Sequence, residues 1–143
     1  YAQLSAEFSA PVPDGDMLLA QIGPRAPRHP VAHRVAYHDA CHLRHAQGIH
    51  EEPRALLRGI PEMTVMDIPE AEICCGSAGI YNALEPAMSA RILAEKMDNL
   101  LSVEPDLVVT ANPGCQMPLL AGVRARGRRI PVKHPAGLPV EPY

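Results

Sequence analysis

The chain has 143 residues, 47% hydrophobic and 20% charged, with a formal charge of −3, enough for one domain with a core of its own. The slight acidity gives no electrostatic footprint for nucleic acid or an anionic membrane, and no run approaches the roughly 20 apolar residues of a membrane span. Sixteen prolines against a single Phe make the chain turn-rich and short of aromatics.

No charged leader precedes an apolar stretch, so a cytoplasmic location is expected. In a reducing compartment four cysteines point to metal or redox chemistry and not to a disulfide framework. The chain opens on Tyr1 and not Met, which reads as a processed form or a piece of something longer.

Residues 1–30 read as a peripheral segment and 31–143 as the domain proper. Met17–Ile22 predicts one or two helical turns, with Asp14 or Asp16 as cap and Gly23-Pro24 as stop. Pro24, Pro27 and Pro30 predict an extended linker from an upstream domain. Arg34–His38 reads as a short strand that delivers the chain to Asp39 and Cys41. A short helix is expected over Pro53–Arg58, with proline at its first position and Gly59 as a left-handed stop. Met63–Ile68 is a second strand, and Ile73 then leads into Cys74-Cys75-Gly76-Ser77-Ala78-Gly79.

The strongest helical pattern runs from about Glu85 to Leu101, with Ala90, Leu93, Ala94, Met97, Leu100 and Leu101 on one side. Leu107–Ala111 is a nearly continuous apolar strand, the kind covered on both faces of a parallel sheet. Asn112-Pro113 predicts a cap and first turn of a helix ending near Arg126 at Gly127. The cations Arg124, Arg126, Arg128 and Arg129 suit such a helix end. Ile130–His134 reads as a last strand or extended tail. Alternating strands and helices give an α/β class: about four mostly parallel strands, helices on both faces, right-handed crossovers and three layers.

The cysteines follow the spacing C-x32-C-C-x39-C, and each station falls after a strand, where ligands of open α/β sheets gather. Four thiolates can hold an iron–sulfur cluster or a zinc ion. Adjacent side chains diverge along an extended backbone, so Cys74 and Cys75 suit two atoms of a larger cluster better than one ion. A strained vicinal disulfide ranks below metal binding. At the third position of its helix Cys115 is expected to feel the positive dipole end, which lowers a thiol pKa. Gly76 and Gly114 let backbone approach sulfur and donate to it. Among the histidines around Cys41, His38 and His42 are candidates for an extra ligand or a hydrogen bond to sulfur, whereas His45 and His50 read as solvated loop residues. No GxGxxG, P-loop, GxSxG or HExxH pattern is present, so no catalytic residue is assigned.

His38-Asp39-Ala40-Cys41-His42, Cys74 to Asn82 and Asn112-Pro113-Gly114-Cys115 together resemble the cysteine-rich CCG domain of the heterodisulfide reductase superfamily. Within it they resemble the C-terminal part of glycolate oxidase iron–sulfur subunits. The resemblance implies an electron-transfer component of a flavin-dependent 2-hydroxy-acid dehydrogenase, not catalytic alone, docked on FAD-bearing subunits and preceded by a ferredoxin-like domain of the same chain. It implies a cytoplasmic complex, peripheral at the inner face of the membrane. Cys41, Cys74, Cys75 and Cys115 are the ligands it carries over, to a four-iron, noncubane cluster or to zinc. A metal-free scaffold and a lactate-utilisation or heterodisulfide-reductase-like complex are the alternatives. Where the broader pattern ends in C-x2-C, this chain reads Cys115-Gln116-Met117-Pro118.

Overall fold

A computed structural model describes residues 14–25 and 27–140; the rest of the expected peripheral segment, residues 1–13, lies outside the described residues. Helix α1 spans Gly15–Ile22, with Asp14 accepting from the Asp16 amide at 2.9 Å and Gly23 at φ 71° closing it. Residues 27–33 carry no regular structure and are fastened to the domain by Val31 N–H on Pro61 O at 2.9 Å.

Four strands follow: β1 Arg34–His38, β2 Thr64–Met66, β3 Leu107–Thr110 and β4 Val132–Lys133. All pair parallel, in the order β2-β1-β3-β4. Between them lie α2 Glu51–Arg58, the single turn α3 Tyr81–Leu84, α4 Pro86–Leu101 and α5 Pro113–Ala125. A 3-10 segment, Pro135–Val140, follows β4.

Strand alternation sorts the core into two layers. Val35 and Tyr37 of β1 and Leu107 and Val109 of β3 face Leu57 of α2, against which α1 packs. Ala36 and Val108 face the other way, onto Met97 and Leu100 of α4 and Leu119 and Val123 of α5. Helices therefore cover both faces, and the central strands are buried almost from end to end, as their apolar runs require. The chain steps from β1 outward to β2 and then back across to β3, so the sheet reverses direction between β1 and β3. Crevices beyond the carboxyl ends of strands form at such a reversal.

Several boundaries differ from expectation for local reasons. Helix α2 begins two residues early, with His50 as its cap and Pro53 in third place. Every position of the first turn lacks an intrahelical acceptor, so proline is tolerated there as well as at the start. Gly59 ends α2 at φ −76°, without the left-handed turn. Strand β2 is three residues long, not six. The long amphipathic helix starts where expected, capped by Glu85 (φ −127°, ψ 61°), but the single turn α3 before it was not expected.

The buried face of α4 is also rotated. Ser89, Lys96, Met97 and Leu100 are inside, while Ala90 and Ala94 are exposed. Small alanines forfeit little apolar burial when turned outward. Close α4–α5 packing favours the rotation, since a Cβ on Gly122 would lie 2.7 Å from the Met97 side chain. No helix among the described residues is long and apolar enough to cross a membrane.

Candidate metal centre

The first station is held by an ion-pair clamp. Asp39, 1% exposed, receives Arg54 through Nη1 at 2.6 Å and Nη2 at 2.9 Å, and Arg44 Nη1 at 3.0 Å. Arg54 lies over the Tyr37 ring, 5.0 Å from its centroid, and also donates to His50 O at 2.6 Å. Burial pushes the Asp39 carboxyl up, but the two guanidiniums outweigh it and hold the group below the usual carboxylate range. The clamp fixes the turn carrying Cys41, which caps a short π-helix, His42–Ala46, anchored by buried Leu43. Wide turns of this kind concentrate at functional sites.

The second station hangs on α4. Ser89 Oγ donates to Gly76 O at 2.8 Å, and Lys96 Nζ to Ala71 O at 2.7 Å and Glu70 O at 3.3 Å. Gly76 adopts φ 82°, and a Cβ there would lie 2.6 Å from Ser89 O. The turn continues through left-handed Ala78 (φ 36°) and Gly79 (φ 65°). A left-handed alanine is strained, and such strain clusters at binding sites.

The third station is the start of α5. Asn112 accepts the Gly114 amide at 2.8 Å, so Cys115 is the third helical residue and the Gly114 N–H is committed to the cap and not to sulfur. Gln116 Nε2 ties this turn to Val132 O of β4 at 2.9 Å. Pro118 has no N–H for the Gly114 carbonyl.

These stations converge. His38, last residue of β1 and 0% exposed, shares a site with Cys75 and Cys115, all three donor atoms lying within 4.8 Å of one another. Cys41, His42, Cys75, Ser77, Ala78, Gly79, Asn112, Gly114 and Cys115 line one cleft of about 250 Å³. Cys74 does not line it, and the tight group of donor atoms includes neither Cys74 nor Cys41. Cys75 is the member of the vicinal pair that meets Cys115. All four are free thiols in this structure. His42 is exposed at the rim, His45 is exposed, and His50 bonds Gly48 O locally at 3.1 Å.

Cys75 and Cys115 titrate as one pair. The Cys115 thiol, with His38 and the Ser77 amide, outweighs burial and holds the Cys75 thiol below its ordinary value, while the Cys75 sulfur and burial push Cys115 up. Two sulfurs this close share one proton, so the shifts belong to the pair and not to either residue alone. Burial pushes Cys74 up against an opposing Gly76 N–H, and pushes His38 down, against the pull of the Cys75 sulfur. Among the described residues neither ring nitrogen of His38 has a hydrogen-bond partner, nor does Thr110 Oγ1, its register partner at the end of β3. Buried polar atoms are rarely left unpaired. Orphaned imidazole nitrogens beside two sulfurs fit a thiophilic metal.

Arg54, Lys96 and Ser89 were not among the residues the sequence nominated. Ser89 and Lys96 are buried on one helix face, but their polarity hides them from a reading of apolar periodicity.

A doubly wound parallel sheet with its sulfurs gathered where the strand order reverses defines a cysteine-rich α/β domain. The chain belongs to the CCG cysteine-rich domain family, which matches residues 35–119. It is 44% identical over 93 residues to the "Probable glycolate oxidase iron-sulfur subunit" of Bacillus subtilis, covering 65% of this chain and 21% of that protein. It is 37% identical over 95 residues to the glycolate oxidase iron–sulfur subunit of Escherichia coli (66% and 23%). Identity to lactate utilization protein A 2 of Bacillus cereus is 27% over 121 residues (85% and 50%). The matched region spans between about a fifth and a half of these relatives.

Proposed function

We propose that this domain is an electron-carrying module of a flavin-dependent 2-hydroxy-acid oxidoreductase of the glycolate type, with Cys41, Cys74, Cys75 and Cys115 binding a four-iron, noncubane cluster. The observation that carries this reading is the gathering of Cys41, Cys75 and Cys115 on one cleft, with Cys74 adjoining Cys75 in the chain. That arrangement presents sulfur to more than one metal atom. A cluster held there would supply one-electron carriage. The protein fixes the Cys41 turn through Asp39–Arg54, fixes the Cys74-Cys75 turn through Ser89 and Lys96, and shields the sulfurs with the 77–79 turn. Names of the relatives support an iron–sulfur role and an oxidoreductase assembly. Docking on FAD-bearing subunits extends that reading to this chain, with residues 1–30 leading in from a ferredoxin-like domain.

A second reading has its own support. His38, Cys75 and Cys115 are compact enough to share one tetrahedral zinc ion, with Cys41 as a further donor. Anaerobic purification followed by iron, sulfide and zinc analysis separates the two. The first expects iron and sulfide with visible charge-transfer absorption, lost on Cys74→Ser as well as Cys75→Ser. One zinc per chain, colourless and retained by Cys74→Ser, refutes the cluster.

A further inference from the structure

Lys96 is 0% exposed in the middle of α4, and two backbone carbonyls, Ala71 O and Glu70 O, are its bonded partners among the described residues. No carboxylate among the described residues stands within ion-pair distance of it. An ammonium buried without an anion is costly, and a methionine would fill the space without that cost. The charges that reach Lys96 are Asp39, exposed Glu72, the Cys75 sulfur and, with opposite sign, Arg54. Asp39 is already claimed by Arg54 and Arg44, so its charge is spoken for. The Lys96 ammonium is therefore left without a paired anion beside the segment that leads into Cys74-Cys75, where an anionic, thiolate-rich centre would complement it. Burial brings the Lys96 ammonium down to about 8, so it remains mostly charged at neutral pH.

We infer that Lys96 is a positioning residue of the sulfur centre: its buried ammonium ties the carbonyls preceding Cys74-Cys75 and supplies the fixed positive charge that stabilises the more negative of the centre's two charge states. This rests on the reading that the cysteines hold an iron–sulfur cluster. Removing the charge disfavours the reduced state, whereas a purely structural lysine would change stability alone.

The test uses the intact protein carrying this domain, purified anaerobically as wild type, Lys96→Gln and Lys96→Arg. Glutamine keeps an N–H donor for the Ala71 carbonyl and drops the charge; arginine keeps the charge. A dye-mediated titration with dithionite is expected to show, for Lys96→Gln, about a tenfold fall in the reduced-to-oxidised ratio at fixed potential, about 59 mV for a one-electron couple. Lys96→Arg should stay near wild type. If glutamine prevents folding, Lys96→Met is expected to give the same shift. After chelator stripping, the neutral variants should match or exceed wild type in urea, because the buried charge has lost its counterpart. An iron-loaded wild type with an unshifted potential in the neutral variant, or equal destabilisation of stripped and loaded forms, overturns the inference while leaving the cluster intact. A wild type without iron and sulfide overturns both.

Discussion

Gly76→Ala tests whether the Cys74-Cys75 turn is held by contact with α4. The glycine sits at φ 82°, where a side chain costs about 1 kcal/mol. Its Cβ would lie 2.6 Å from Ser89 O and 3.0 Å from Ser89 Oγ. Backbone of a packed helix cannot yield cheaply, and overpacking of this kind costs about 1–3 kcal/mol. Moving the turn away also breaks the 2.8 Å bond from Ser89 Oγ to Gly76 O, worth about 1 kcal/mol. The expected loss is about 3–5 kcal/mol. Gly79→Ala is the control, because Gly79 has a similar φ of 65° with nothing within 4 Å of the added carbon, so only the backbone cost of about 1 kcal/mol applies. Urea denaturation of metal-stripped protein measures both. At a slope of about 2 kcal/mol/M, Gly76→Ala should lower the midpoint by about 1.5 M or more and Gly79→Ala by about 0.5 M. Equal shifts would refute the claimed contact with Ser89.

The Asp39 clamp gives a second prediction: Asp39→Asn leaves buried Arg54 uncompensated and should cost about 3 kcal/mol, while Asp39→Leu combined with Arg54→Met recovers much of it. A double-mutant cycle without coupling would dismiss the clamp. Asp16 offers a pH test. The residue is 2% exposed, its Oδ2 lacks a partner among the described residues, and burial followed by the Asp14 charge raises its pKa above 3.8. A raised carboxyl favours folding below the unfolded pKa and loses that contribution as pH rises through the folded value. Asp16→Asn should therefore stabilise by about 1 kcal/mol at neutral pH, with the advantage vanishing below about pH 3.8. Thermal melts at pH 3 and pH 7 showing the same difference at both would contradict it.

What could be read from the sequence was what short-range chemistry decides. Leu107–Val109 announced a buried parallel strand, and Asn112-Pro113 announced the helix that brings Cys115 to its rim, because cap, proline and apolar run are neighbours. The parallel three-layer class followed from the alternation. Lys96 gave no such signal, because periodicity sees only its polarity, whereas its burial depends on carbonyls 25 and 26 positions earlier. Likewise His38 was visible as a strand end, but the face it occupies is fixed by its pairing with Thr110. The start of the long helix at Glu85-Pro86, by contrast, was legible, since proline keeps the residue before it out of the helical region and suits the first turn.

The adjacency of β1 and β3 sets a timetable. Arg34 bonds the carboxylate of Asp106, 72 positions along the chain, and ladders closed over such spans form late. On the ribosome, Cys41 and the vicinal pair emerge well before Cys115, so the three cysteine stations can meet only once the middle of the sheet has zipped.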